Sequence, residues 1–171
     1  MGCGCDEKVR YDSALYYRTD YIALAGVSTS AMSQYDYISN AVDEISCAAR
    51  NTGGYGTIKR VEVIEDGTTV QKKDIRIWLF SSNITTPVSN SARSFTAGEN
   101  DYIVGYIDIA AADYKATNGT AYAYANVSCD VKFKCADGVQ TLFFVVEANG
   151  SSAPTYDNAT PLKFRFLLER N

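Results

Sequence analysis

Residues 57–80, TIKRVEVIEDGTTVQKKDIRIWLF, decide the fold class. In the second half, Ile75, Ile77 and Leu79 fall on one side of an extended chain and Arg76, Trp78 and Phe80 on the other. That is the period of two of a pleated strand. The first half reads as a second strand, and Asp66-Gly67 supplies the residue pair that tolerates positive φ, so the chain reverses there. The stretch is therefore expected to form a hairpin over a buried isoleucine row. Its far end feeds a loop spanning residues 81–100, SSNITTPVSNSARSFTAGEN, with a short extended piece around Phe95. Loops of this length in compact domains are usually functional or disordered.

Working outward, Tyr21–Val27 (YIALAGV) reads as a first strand. Ala41–Arg50 (AVDEISCAAR) fits a helical stripe through Val42, Ile45 and Ala49 or a loose strand; the Asn51–Gly54 turn after it favours strand. After the loop, Asp101–Ala110 alternates, with Ile103, Ile107 and Ile109 on one face and Gly105 in line as a bulge or close-approach position. Val127–Cys135 points Val127, Cys129, Val131, Phe133 and Cys135 one way and Ser128, Asp130, Lys132 and Lys134 the other. Thr141–Ala148 (TLFFVVEA) is apolar on both faces, as in a central strand. Leu162, Phe164, Phe166 and Leu168 alternate with Lys163 and Arg165. About eight strands separated by turn signals predict an all-β fold, an antiparallel two-sheet sandwich of jelly-roll type, with an open barrel as the next choice.

Domain organisation follows from length and from the opening segment. A chain of 171 residues forms one domain and buries roughly 70% of its unfolded surface. Residues 1–20, MGCGCDEKVRYDSALYYRTD, hold neither period and read as an extended N-terminal arm, leaving 21–171 as the sandwich. The arm is either a frayed terminus or a docking segment, the second because Leu15, Tyr16 and Tyr17 would be wasted on solvent.

Composition removes several function classes. The net charge of −4 gives phosphate backbones no electrostatic footing, so no direct nucleic-acid partner is expected. No run approaches the length of a membrane span, and the Met-Gly start has Asp6 where the myristoylation pattern wants Ser or Thr. The chain has no histidine, which takes away the commonest general base and most zinc sites. Five cysteines, at 3, 5, 47, 129 and 135, lack paired C-x-x-C spacing. They are expected to be reduced, with Cys129 and Cys135 as small core hydrophobes and no metal or cofactor bound. Glu65-Asp66 and Glu99 with Asp101 are the carboxylate pairs available for glycosidase chemistry, but both sit at turns, where acids normally bond their own backbone. Five N-x-S/T sequons, at Asn83, Asn118, Asn126, Asn149 and Asn158, read as turn chemistry. Tyr102, Tyr106, Tyr122 and Tyr124 recur at even spacing and are expected to pack between sheets, with a sugar- or protein-binding row as the alternative.

Beyond these local readings, the order of segments carries a resemblance. QYDYISNA, CAARNTGGYGTIKRVEVIEDG, DIRIWLFSSN, GENDYIVGYIDIAAADY and SAPTYDNATPLKFRFLLER, spanning about Ser33 to Leu168, resemble a family of small structural proteins of tailed bacteriophages, the capsid-associated auxiliary or decoration components. The resemblance implies a non-enzymatic virion protein on the phage head. Its partners would be the major capsid protein and neighbouring copies of itself, and it would stabilise the lattice by surface burial. The residues expected at that interface are Leu15, Tyr16, Tyr17, Trp78 and Phe95. The rival expectation is a carbohydrate- or receptor-binding sandwich carried on a head fibre or tail, reading sugars through Tyr102, Tyr106 and Trp78.

Overall fold

The structure is a computed structural model and describes residues 16–118, 121–150, 154–158 and 161–171. Among these residues ten strands build two antiparallel sheets. In chain order they are β1 (Tyr16–Arg18), β2 (Ile22–Ala23), β3 (Asp43–Ile45), β4 (Tyr55–Asp66), β5 (Ile75–Phe80), β6 (Ile103–Ile109), β7 (Lys115–Asn118), β8 (Tyr122–Lys134), β9 (Leu142–Ala148) and β10 (Leu162–Arg170). One helical turn, α1 (Ala97–Asn100), precedes β6. The larger sheet runs β1-β10-β4-β8-β7 with β2 also on β10, and the smaller runs β3-β9-β5-β6.

Apolar alternation turns one face of each sheet toward the other. Ile75, Ile77 and Leu79 of β5 and Leu142, Phe144 and Val146 of β9 meet Leu162, Phe164, Phe166 and Leu168 of β10 in one core. Phe144 stacks edge-on against Phe164 and Phe166, with ring centroids 5.7 and 5.3 Å apart, and so joins the layers. Each such fully buried side chain contributes about 1.5–3 kcal/mol. Strand β9 lies inside its sheet, as its two apolar faces predict, and β8 turns Val127, Cys129, Val131 and Phe133 toward the core.

Several sequence expectations about the strands need correction. The stretch 57–80 is not a hairpin: β4 and β5 do not pair but lie in opposite sheets, and residues 67–74 carry the chain across the core. The link is fastened from beneath by Glu65, which is buried and accepts the backbone N–H groups of Gln71 and Lys72. Residues 16–20 are not a free arm, since β1 pairs with β10 in the register Tyr16↔Glu169 to Arg18↔Leu167 and Thr19 donates its N–H to Phe166 O. Segment 41–50 yields only three strand residues. Ile103 leaves the Ile107–Ile109 face, because a bulge opposite Leu79/Phe80 sends it to the outside of the sheet and brings Val104 to the core instead.

A second bulge, in β4 between Ile58 and Arg60, skips Lys59 and allows Ile58, Val61 and Val63 all to face inward despite their uneven spacing. The bulge leaves Glu62 on the outer face, and a similar outward position on β9 falls to Glu147. Among the described residues no helix is long and apolar enough to cross a membrane. Cys47 is disulfide-bonded, contrary to the reduced state expected, whereas Cys129 and Cys135 are free, and burial pushes both thiols up to about 11.

Candidate interaction surface

The outer face of the smaller sheet carries more apolar surface than a solvated face tolerates. Phe80 and Val145 point outward there, with Trp78, Phe143 and Ile103 beside them. The 81–100 loop solves this by folding back. Phe95 packs edge-on against Trp78 (5.6 Å) and Phe80 (5.2 Å), and Tyr37 closes the cluster from residues 35–42. Trp78 and Phe80 are thus covered not by the second sheet but by the chain's own loop.

Hydrogen bonds hold the loop in place. Thr96 and Glu99 form a capping box on α1, and the Glu99 carboxylate accepts N–H bonds from Thr96 and Thr85, each 2.7 Å. These backbone bonds, from Thr96 first and then Thr85, draw the Glu99 carboxyl down to about 2. Tyr37 N–H donates to Ser91 O, Asn90 N–H to Tyr37 O and Arg93 N–H to Tyr35 O. Glu99 and Glu65, one from each proposed carboxylate pair, therefore spend their oxygens on backbone.

Above this roof lies a ladder of arginines and rings. Arg76 sits over Tyr106 (4.4 Å to the ring centroid) and Trp78 (5.5 Å), and Arg93 over Trp78 (4.7 Å), Phe95 (5.7 Å) and Tyr35 (5.8 Å). Arg76 makes a two-pronged pair with Asp108, at 2.6 and 2.9 Å. Arg93 reaches Glu147 at 3.2 Å. Glu147 is fully buried; burial raises its pKa above the ordinary carboxylate value, against the opposing pull of Trp78, Arg93 and Arg76. The ladder ends in two tyrosines open to solvent, Tyr35 at 45% and Tyr106 at 50% exposure.

The structure brings together only two of the interface residues read from sequence, Trp78 and Phe95. Both are partly buried within the roof. Tyr16 and Tyr17 lie on edge strand β1 of the other sheet, Tyr17 beneath the Arg170 guanidinium (4.3 Å), and Leu15 lies outside the described residues. The tyrosine row also divides. Tyr102 and Tyr106 are exposed on the small-sheet side, while Tyr122 and Tyr124 are half-buried on β8 of the larger sheet. None packs between the sheets: Tyr106, Tyr122 and Tyr124 take the outward parity of their strands, and Tyr102 lies in the turn just before β6. Arg76, Arg93, Tyr35 and Glu147 were missed. The available signal was a charged residue, Glu147, in an otherwise apolar central strand.

Among the described residues no group of three metal-ligating side chains occurs. The fold and surface together define an all-β, two-sheet protein whose most elaborated region is an aromatic–arginine face. No family model matches the chain, and no curated protein matches it.

Proposed function

We propose that this protein is a non-catalytic structural component of a tailed-phage particle, bound to the head surface through the major capsid protein and neighbouring copies of itself. The aromatic–arginine face is one of its contact surfaces. The observation that carries the reading is the ladder Tyr35–Arg93–Trp78–Arg76–Tyr106, with tyrosines exposed at both ends over arginines already fixed by carboxylates. Tyr, Trp and Arg are the residues that concentrate binding energy at protein interfaces, and pre-fixed side chains lose little entropy on contact.

The finer fold reading, a jelly roll, is supported by the wiring. Strands pair as β1/β10, β3/β9, β4/β8 and β5/β6, each pair nested inside the one before. Jelly rolls recur in capsid and lectin domains, which is an argument by analogy. The lectin alternative has less to stand on, since Trp78 is packed against Phe95 and Tyr106 and leaves sugar stacking to Tyr106 and Tyr102.

The test is incorporation into particles. Tyr35→Ala/Tyr106→Ala is expected to fold normally and to bind purified heads lacking the protein at least tenfold more weakly. Unchanged occupancy, measured by cryo-electron microscopy, overturns the assignment of this face. A truncation testing the arm must stop before Tyr16, because β1 belongs to the sheet and Arg18 donates to the buried Glu62 carboxylate at 2.8 Å.

A further inference from the structure

The two sheet faces that look away from the core carry opposite charge. On the larger sheet, Glu62 has Arg18 at 2.8 Å, Arg165 Nε at 2.6 Å and Arg60 at 3.8 Å around it, three guanidiniums for one carboxylate. To one side Lys163 is matched by Asp66 at 3.2 Å. To the other, Lys59 meets both Asp130 and Glu169, at 2.6 and 3.3 Å, and that extra acid is offset by Lys115, exposed on edge strand β7. Strand register places this network on the outer side of the sheet. Among the described residues the face therefore holds two more cations than acids, in a chain whose net charge is −4. Lys132 and Lys134 do not enter that balance, because they stand at a corner where Asp137 and Asn171 lie beside them.

The outer side of the smaller sheet is acidic. Arg76 and Arg93 balance Asp108 and Glu147, and Asp36, Glu44, Glu99 and Asp101 remain in excess. Asp36 and Glu99 accept backbone N–H groups. Glu44 and Asp101 are exposed, with no cation paired to either among the described residues. Tyr35 and Tyr106 stand open to solvent on the same side. The two faces lie on opposite sides of one sandwich, so they cannot satisfy each other within a single molecule.

We infer that the faces meet between molecules: the basic face of one copy docks head to tail on the aromatic–arginine face of the next. This rests on the reading of the ladder face as a contact surface, and it names the occupant. Leu167 is half-buried on the basic face, with Arg18 and Arg60 as its register neighbours on either side. Tyr35 and Tyr106 of the next copy would lie on Leu167 and the arginine stems, while its Glu44 and Asp101 supply the negative charge that the three guanidiniums lack. A face five strands wide, at about 4.8 Å a strand and roughly 25 Å long, offers about 600 Å² a side, which just clears the size of a specific contact. The association is therefore weak and salt-sensitive, and because the two faces differ it can run on from copy to copy. A nucleic-acid backbone fits less well, since a surplus of two charges neutralises few phosphates.

Sedimentation velocity of the full-length protein across a concentration series is expected to show reversible association, weakened at least tenfold by high salt and by Tyr35→Ala/Tyr106→Ala. Lys115→Glu/Lys163→Glu reverses the basic face, and Glu44→Lys/Asp101→Lys neutralises the acidic one; each variant alone should be monomeric. Mixed, the two variants retain one native face of each kind and should form a discrete one-to-one dimer that grows no further. All four positions reach the surface, and unchanged melting temperatures will show that the variants are folded. A wild-type monomer at every concentration, association by either variant alone, or a mixture that stays monomeric overturns the inference. A wild-type monomer that instead binds oligo-dT saturably through Lys115 and Lys163 overturns it in favour of a nucleic-acid face. Head binding is read separately: if it depends on Tyr35 and Tyr106 while self-association is absent, the proposed function stands and only this inference falls.

Discussion

Glu62 and Glu147 occupy equivalent places and behave oppositely. Each is buried on the outer face of an interior strand, β4 in the large sheet and β9 in the small one. Burial raises the pKa of both. At Glu62 that effect is outweighed by Arg18, at 2.8 and 2.9 Å, and by Arg165 Nε at 2.6 Å, and the net shift is downward. At Glu147 the arginines stand at 3.2 and 3.9 Å and burial prevails. The difference lies in what the cations serve. Arg165 and Arg18 come from β10 and β1, strands of the same sheet, and both spend their donors on Glu62. Arg76 stands opposite Glu147 on β5 but spends its fork on Asp108, and Arg93 arrives on a loop, which excludes water from the carboxylate without holding a guanidinium as close as at Glu62. One face is clamped by strands and the other roofed.

The largest effect that can break this comparison is Glu62→Ala. It leaves Arg18 and Arg165 together without their shared carboxylate and is expected to cost about 3–5 kcal/mol in urea unfolding. A loss below 1 kcal/mol would show that solvent, not Glu62, balances those cations. Next is Phe95→Ala, expected to cost about 2–3 kcal/mol because the ring is only partly buried. It should also red-shift the emission of Trp78, the sole tryptophan, while the equivalent loss on the clamped face leaves emission unchanged.

The pH dependence sharpens the same contrast. Glu62, with its folded pKa lowered, contributes stability that is present above the unfolded value and lost as pH falls through the folded one. Glu147, with its folded pKa raised, contributes stability that is present below the unfolded value and lost as pH rises through the folded one. Glu62→Gln should therefore be most damaging at neutral pH. Glu147→Gln should be neutral or stabilising there, and equal losses in both at pH 7 would erase the distinction. The smallest effect is at Asp43, which no arginine serves among the described residues. Burial pushes its carboxyl up to about 6, so its contribution fades as pH rises through 6. Asp43→Asn should add about 1 kcal/mol at pH 7.5 after allowance for screening and nothing near pH 4.

Much of the sheet content was legible because a period of two survives wherever one face is buried: β5, β8 and β10 follow the alternation read from sequence. The pairing of β4 was not. Asp66-Gly67 reports that the chain turns, but the same chemistry serves a hairpin and a crossing between layers. The eight residues of 67–74, too many for a tight hairpin, were the available warning. The β4 bulge was hidden for a related reason, since Ile58 and Val61 differ in parity and only the partner strand reveals that Lys59 is skipped. Within the candidate surface, the outward aromatics Trp78 and Phe80 were legible. Their cover was not, because Phe95 and Arg93 gain their roles only when the loop folds back.

The nested pairing of the strands has a kinetic consequence. Contacts close in sequence form first, so β5/β6, with the short β7/β8 pair beside it, can join by local search, whereas β1/β10 unites the two ends of the described chain and must wait. The 81–100 segment is the tip about which the other pairs close in turn. Substitutions that loosen it, such as Thr96→Ala, should slow refolding, while losses of similar size at Tyr17 on β1 should chiefly speed unfolding. The two arms of a chevron plot would separate these outcomes, and they would identify the roof of the small sheet as the place where folding begins.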